Sequence, residues 1–261
     1  MIDTHAHLYS EQFSADCDDV IRKALESGVE YFVIPATDSE TYEPMMKLCG
    51  AYPKICFPAI GLHPTSVGDN YADELKFVEK QLETNQFTAV GEIGIDCYWS
   101  LDNIVRQREA FEIQLKLAEH YHLPVIIHAR ESFREIFNIL DRVHTDGLKG
   151  VFHSFTGTKE DYLKIKEYKT FKTGIGGVVT FKNSNLSQVV EMIPLTDIVL
   201  ETDAPYLTPH PYRGKRNESA YIPIIARKIA EIKKLSIDEV DRITSENAKT
   251  LFNLPEPYSI R

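Results

Sequence analysis

Two histidines, His5 and His7, follow a short apolar segment at the N-terminus, in the motif Asp3-Thr4-His5-Ala6-His7. On a β-strand, residues i, i+2 and i+4 share one face, so the two imidazoles would point the same way with Asp3 beneath them. Two imidazoles at this spacing are a natural pair of ligands for a divalent metal ion. Because the motif alone also fits ordinary polar residues at a strand end, its interpretation depends on the rest of the chain.

Short apolar runs alternate with longer amphipathic segments along the whole chain, as expected for strands that alternate with helices. The candidate strands are residues 2–5, 31–35, 56–62, 88–93, 124–128, 149–153, 171–174 and 197–201. Eight strands, each followed by a helical or loop segment, predict an α/β protein with a closed parallel (β/α)8 TIM barrel. Since no linker or repeat interrupts the pattern, residues 1–261 are expected to form a single domain.

The amphipathic segments carry apolar residues at helical spacing, which predicts that each helix packs one face on the sheet. The longest predicted helix runs roughly from Asn103 to His122. Ser236 and Glu239 have the spacing of a capping box, which predicts the start of a last helix.

The carboxyl ends of the strands, where a parallel α/β barrel has its active site, hold most of the candidate ligands. Five of the nine histidines follow predicted strands, together with several acidic residues: His5, His7, His63, His128, His153, Glu92, Glu201 and Asp203. This set suits zinc, manganese, iron or magnesium, and it exceeds what one tetrahedral ion needs. Two ions that share Glu92 are therefore expected, since its strand lies between the strands that carry the two histidine sets.

The same residues carry a resemblance to the TatD-family metal-dependent deoxyribonucleases, within the wider amidohydrolase-like barrels. The matching segments occur in family order at residues 3–7, 61–64, 91–96, 124–130, 153–157, 201–207 and 211–218. The resemblance implies a (β/α)8 barrel that hydrolyses DNA phosphodiester bonds with divalent metal ions. It carries metal-ligand roles onto His5, His7, Glu92, His128, His153 and Asp203.

Two places depart from the family pattern: Ser219, where family members often have a proline after the Asn-Glu pair, and the segment after Asp96. Family members often have two aromatic residues followed by Arg after the position of Asp96, whereas this chain has Cys97-Tyr98-Trp99 there. An arginine that could contact the substrate is therefore missing from this place, which leaves the substrate preference open.

The predicted mechanism is two-metal phosphodiester hydrolysis by an activated water. The expected ligand sets are His5, His7 and Asp203 for one ion, and His128 and His153 for the other, with Glu92 between them. Asp203 is the candidate general base because a carboxylate can both hold a metal and accept the proton of the water. Glu201 could orient a ligand, or it could form an ion pair inside the barrel.

Four residues are candidates for binding the substrate: His63, Arg130, Tyr206 and Arg213. His63 is also a candidate catalytic residue that donates to a phosphate oxygen or the leaving group, or else it caps the turn before Pro64. Arg130 could hold a phosphate bidentately or form a salt bridge with Glu131. The loop at 206–216 combines cations with aromatic rings, which fits single-stranded nucleic acid and fits a solvated charged loop equally well.

The composition limits the classes of partner. Hydrophobic residues make up 43% and charged residues 26% of the chain, as is typical of globular proteins. The net charge of −10 argues against a broad basic surface for duplex nucleic acid. Scattered cysteines and the lack of a signal peptide or long apolar run predict a cytoplasmic protein with no membrane association, and no obligate protein partner is evident.

Two functions follow from these observations. The first is a hydrolase with two divalent ions (Mg, Mn or Zn) that cleaves DNA phosphodiester bonds, acting as an exonuclease on single-stranded DNA or DNA ends. The alternative is a hydrolase of a small amide, lactone or phosphoester built on the same metal centre, which the acidic composition favours.

Overall fold

The computed structural model describes residues 1–255, which form an eight-stranded parallel barrel surrounded by helices. The strands are β1 (Ile2–Asp3), β2 (Tyr31–Pro35), β3 (Cys56–Ile60), β4 (Ala89–Asp96), β5 (Val125–Arg130), β6 (Gly150–Phe152), β7 (Phe171–Ile175) and β8 (Ile198–Leu200). Each strand pairs with the next one in the chain, so the predicted (β/α)8 barrel is confirmed. Residues 256–261 of the predicted domain lie outside the described part of the chain.

The barrel closes between its last and first strands. The Thr4 N–H donates to the Leu200 carbonyl at 3.0 Å, and Ala6 forms a parallel bridge with Ala204. This closure brings the two ends of the barrel sequence side by side, at the place where the N-terminal histidines and Asp203 follow their strands.

Helices follow the strands and cover the outside of the barrel. Their bounds are α1 (Cys17–Glu26), α2 (Ser39–Ala51), α3 (Tyr71–Thr84), α4 (Ile104–His120), α5 (Phe133–Val143), α6 (Lys159–Glu167), α7 (Leu186–Met192), α8 (Ile222–Lys233) and α9 (Ile237–Phe252). Apolar residues at helical spacing face inward, as in α5, where Ile136, Ile139 and Leu140 are buried. Every residue of β2 and of β4 is buried, because a parallel sheet has both faces covered.

Several element boundaries differ from the sequence predictions, as at β4 and α4, whereas the start of α9 agrees with them. Strand β4 continues to Asp96 because its end still pairs with Arg130 of β5. Helix α4 ends at His120, and His122 lies beyond it with a left-handed φ of 56°. The Ser236 side chain accepts the Glu239 N–H at 3.1 Å, so it caps α9 as predicted.

The amino end of the barrel is closed by apolar side chains. Leu251 and Phe252 at the end of α9 pack in one buried cluster with strand residues such as Ile2, Val33 and Ala59. Among residues 1–255, no helix combines the length and the apolar character that crossing a bilayer requires.

Candidate metal centre

The six predicted metal ligands meet at the carboxyl end of the barrel. They lie within or just after strands β1, β4, β5, β6 and β8, so the closure of the barrel brings them together. Their donor atoms fall into three groups, each with all atoms within 4.8 Å of one another: His5, Glu92 and His153; His5, His7 and Asp203; and His63, Glu92 and His128. The structure thus places His63 directly beside the predicted set.

Glu92 lies at the centre of this cluster. Its Oε1 is 2.8 Å from His128 Nδ1, 3.2 Å from His153 Nε2 and 3.3 Å from His63 Nε2. Its Oε2 is 3.2 Å from His5 Nε2. Because the two oxygens face different histidine sets, Glu92 has the position of a carboxylate that could bridge two ions.

The N-terminal histidines form the second side of the cluster with Asp203. His5 Nε2 and His7 Nε2 are only 3.1 Å apart, and they lie 3.8 and 3.6 Å from Asp203 Oδ1. Two imidazole nitrogens that face each other at this distance need a proton or a cation between their lone pairs.

Hydrogen bonds at the outer ring nitrogens orient two of the ligands. The Tyr9 hydroxyl donates to the Pro35 carbonyl at 3.0 Å, so it accepts from His7 Nδ1 at 3.1 Å. Asp96 Oδ2 lies 2.9 Å from His128 Nε2 and accepts its N–H. In both rings the remaining nitrogen faces Glu92, where its lone pair would ligate a bound cation.

Glu201 lies at ion-pair distance from the outer nitrogen of His153. Its Oε1 lies 3.2 Å from His153 Nδ1 and accepts the Ser154 N–H at 2.6 Å. A Cβ on Gly174 would lie 2.1 Å from Glu201 Oε2, so only glycine leaves room for this buried carboxylate. Glu201 therefore forms an ion pair with His153 inside the barrel, which was one of its two predicted roles, and its orienting role stays a prediction.

His63 differs from the other histidines of the cluster. Its Nδ1 accepts the Thr65 backbone N–H at 3.1 Å, within the turn that begins at Pro64. The proton of the neutral ring is then on Nε2, which faces Glu92 and His128. His63 caps this turn and also presents an N–H donor to the site, so the two roles considered from the sequence are compatible.

A glycine allows β4 and β5 to approach each other beside the cluster. Gly94 has a φ of +144°, and a Cβ at this position would lie 2.1 Å from the His128 carbonyl oxygen. Any side chain there would displace the strand that carries His128, so Gly94 is required for the spacing of the ligands.

The segment after β8 holds Asp203 in a left-handed conformation with φ 58°. The Asp203 N–H donates to the His5 carbonyl at 2.9 Å. The Asn217 side-chain amide donates to the Thr202 and Tyr206 carbonyls at 2.8 and 2.6 Å, which fixes this turn. Sequence reasoning assigned no role to Asn217, although it stands within the family-like segment 211–218.

Burial and mutual charge set the protonation of the cluster. Burial lowers the pKa of His5 well below its usual value, and it lowers the pKa of His7 to about 4. Burial would raise the pKa of Glu92, but the histidines around it hold that pKa well below its ordinary value. At neutral pH, His5 and His7 are therefore neutral and Glu92 is charged, as metal ligation requires.

Two further groups are shifted in the opposite direction. Burial would lower the pKa of His153, but Glu92 and Glu201 raise it well above its ordinary value. Burial raises the pKa of Asp203 to about 7. A cation held by these groups would replace the proton on His153. Binding of the cation would therefore release a proton.

The donor set fits divalent ions. Imidazole and carboxylate groups are buried together, their ligating atoms converge on Glu92, and the outer nitrogens of His7, His128 and His153 face acceptors. His5 Nδ1 is buried and has no hydrogen-bond partner among residues 1–255, so its Nε2 is the nitrogen directed at the cluster. A mixed imidazole and carboxylate set is typical of zinc, manganese or iron, and it admits magnesium at the carboxylates.

The cluster forms the floor of an open cleft of about 1250 Å³. Of the predicted substrate-binding residues, His63, Arg130 and Tyr206 line this cleft. The Arg130 guanidinium lies 3.6 Å from the centre of the Tyr98 ring. Arg213 does not belong to the described lining, and its guanidinium lies over the Phe181 ring at 3.8 Å.

The other basic side chains of the loop at 206–216 also have partners. Arg216 forms ion pairs with Asp16 at 2.7 Å and Glu218 at 2.9 Å. The ammonium of Lys215 lies 5.6 Å from the centre of the Tyr212 ring. Arg216 therefore connects the loop to the residues before α1, which is a structural role.

Fold and site together define a class: an α/β barrel hydrolase with histidine and carboxylate ligands for metal at the carboxyl ends of its strands. The family model "TatD related DNase" matches residues 2–253, and the chain belongs to this family of metal-dependent hydrolases. The resemblance stated from the sequence motifs is thereby confirmed.

Relatives match over nearly the whole chain. The "Uncharacterized metal-dependent hydrolase YabD" of Bacillus subtilis is 38% identical to this chain. The alignment covers 97% of this chain and 99% of that protein. The "3'-5' ssDNA/RNA exonuclease TatD" of Pantoea ananatis is 30% identical, with 97% of this chain and 100% of that protein aligned. The crystal structure of the TatD homologue YjjV from Escherichia coli superposes with a TM-score of 0.92 at 31% identity, covering 98% of both chains.

Proposed function

We propose that the protein is a divalent-metal-dependent exonuclease that cleaves phosphodiester bonds at the ends of single-stranded DNA. The observation that carries this proposal is the cluster of metal-ligating groups at the floor of an open cleft of about 1250 Å³. Typical small-molecule sites have volumes of roughly 300–1,000 Å³, so this cleft has room for more than one nucleotide. The activity named for the Pantoea ananatis relative supports the same chemistry and a 3′-to-5′ direction.

Three residues are the proposed catalytic groups. Divalent ions, when bound, would supply positive charge for the phosphate and lower the pKa of water. Asp203 accepts the proton of the attacking water, since its Oδ1 points at the cluster. Glu92 holds the two ligand sets together, and His63 donates its Nε2 proton to the leaving oxygen because Nδ1 is occupied by the Thr65 N–H.

The cleft wall supplies the proposed contacts to the rest of the strand. Arg130 and Tyr206 line it and would contact phosphate and base, respectively. Arg213, whose guanidinium lies over Phe181, stays a prediction for contacts further along the strand. The enzyme would need no protein partner, and two Mg, Mn or Zn ions are the proposed cofactors.

One observation favours a second function, the hydrolysis of a small amide, lactone or phosphoester. Of the described residues that line the cleft, Arg130 is the one lysine or arginine, whereas Glu11 and Glu40 add negative charge. Such a lining adds little binding free energy for a polyanionic strand, because it offers few positive charges to the phosphates. A small substrate would need contacts only at the metal centre.

Cleavage of a 5′-labelled single strand by the purified protein, with Mg²⁺, Mn²⁺ or Zn²⁺ added, tests the proposal. We expect stepwise shortening of the strand that a chelator abolishes and that Asp203→Asn slows by about 10²- to 10⁴-fold, as for loss of a general base. The matched control is Asp73→Asn, because this carboxylate is exposed and pairs with Lys76 at 2.9 Å. Hydrolysis of a lactone or small phosphodiester without any chelator-sensitive DNA cleavage would establish the alternative.

A further inference from the structure

Two large aromatic side chains are exposed at the rim of the cleft. Tyr98 is 49% and Trp99 is 70% exposed, although most large apolar side chains of the barrel are buried. Both follow β4, the strand that carries Glu92, and Trp99 lines the cleft. Exposed aromatic surface beside a polar site is typical of a surface that binds a ligand.

The guanidinium of Arg130 packs against both rings. The Arg130 guanidinium carbon lies 3.6 Å from the centre of the Tyr98 ring and 5.3 Å from that of Trp99. Arg130 ends β5, two residues after His128, and it lines the cleft together with Trp99. Tyr98, Trp99 and Arg130 thus form one surface with flat π faces and a positive charge, which we call the rim platform.

One carboxylate connects the rim platform to the metal centre. Asp96 Oδ1 accepts the backbone N–H groups of Tyr98 at 2.9 Å and Trp99 at 3.3 Å. Its other oxygen, Oδ2, lies 2.9 Å from His128 Nε2. Because the same side chain fixes a metal-ligand histidine and the backbone of both aromatic residues, the platform has a defined position relative to the site of cleavage.

We propose that the rim platform is a nucleobase subsite, in which an unpaired base next to the scissile phosphate stacks on Trp99 while Arg130 contacts the adjoining phosphate. This inference rests on the proposed function and names the feature of the substrate that the cleft recognises. A base has the flat π face that an exposed indole ring binds, and a phosphate matches the charge of the guanidinium. Bases inside a duplex are stacked on each other, so the subsite selects single strands and frayed ends.

The first experiment uses fluorescence, because Trp99 is the one tryptophan of the chain. The metal-loaded protein is titrated with a phosphorothioate oligothymidylate, which resists cleavage, and with the same backbone carrying abasic sites. We expect the oligothymidylate to quench the emission and the abasic strand to leave it nearly unchanged. Equal quenching by both strands would show that the backbone alone reaches Trp99 and would overturn the inference.

The second experiment measures discrimination between cleavable strands with and without bases. For Trp99→Ala we expect the ratio of kcat/KM on the base-bearing strand to kcat/KM on the abasic strand to fall by about 5- to 150-fold, mostly through KM, as for loss of a stacking contact. The matched control is Leu163→Ala, an exposed apolar residue on α6, which should leave this ratio unchanged.

The outcomes separate the two proposals. Cleavage of DNA by the wild type with an unchanged ratio in Trp99→Ala would overturn the subsite and leave the exonuclease intact. Failure of the wild type to cleave any DNA would overturn both. Because Trp99 is exposed, its removal takes no side chain from the core, and unchanged circular dichroism would show that the variant is folded.

Discussion

The two ends of the same barrel have opposite interiors. At the carboxyl end, histidines and carboxylates are buried side by side, and the outer ring nitrogens of His7 and His128 have specific hydrogen-bond partners. At the amino end, the interior holds an apolar cluster that Leu251 and Phe252 of α9 complete. The comparison shows how the fold separates two tasks. Apolar packing at the amino end stabilises the barrel, and this stability offsets the cost of burying a cluster of charges at the carboxyl end.

The largest effect should come from the centre of the polar end. Glu92→Gln removes the charge that faces five histidines, so we expect a loss of metal content and a fall in kcat/KM of at least about 10³-fold. Metal analysis and DNA cleavage assays measure these two changes, and circular dichroism checks that the barrel persists.

The matched control for this change is Glu167→Gln, because Glu167 is exposed and pairs only with Lys164 at 2.8 Å in the described structure. This variant should behave as the wild type. If Glu92→Gln kept its ions and a rate within tenfold of the wild type, the polar end would not be the functional end.

At the apolar end, Phe252→Ala should lower the free energy of unfolding by about 3–5 kcal/mol, since it leaves a cavity in a cluster where Phe252 is 2% exposed. Urea denaturation measures the loss. The rate of cleavage well below the melting temperature should stay within about twofold of the wild type, because the described members of this cluster are apolar and none of them is a predicted metal ligand.

Leu163→Ala is the control here too, since an exposed leucine contributes little to the core. A large loss of activity in folded Phe252→Ala would mean that the two ends are coupled, and the separation of tasks would be wrong.

The smallest of the three effects is expected for Glu201→Gln. A glutamine still accepts the Ser154 N–H, but it removes the negative charge beside His153 Nδ1. Loss of such a partner of a metal ligand costs about 10- to 100-fold in metal affinity or activity. Calorimetric titration with Mn²⁺ or Zn²⁺ measures the affinity. If Glu201 had only a structural role, the variant would bind the metal with unchanged affinity and only its unfolding midpoint would change.

Much of the fold and the centre could be predicted from the chain because both leave local patterns. Strands of a parallel barrel are short apolar runs, and the residues that follow them must lie at one end, so His5, His128 and Asp203 could be placed together before any coordinates. The end of β4 could not be placed, because the pairing of Asp96 with Arg130 depends on β5.

The sequence by itself thus determined the barrel, the family and the residues that could hold metal. Only the tertiary structure decided what those residues face. Asp96 contacts both His128 and the backbone of the rim platform, and the Thr65 N–H determines which nitrogen of His63 carries the proton. It also turned Arg216 toward Asp16 and away from a substrate role. The physical reason is that hydrogen bonds and ion pairs join residues far apart in the chain, and such partners leave no periodicity that a single sequence can reveal.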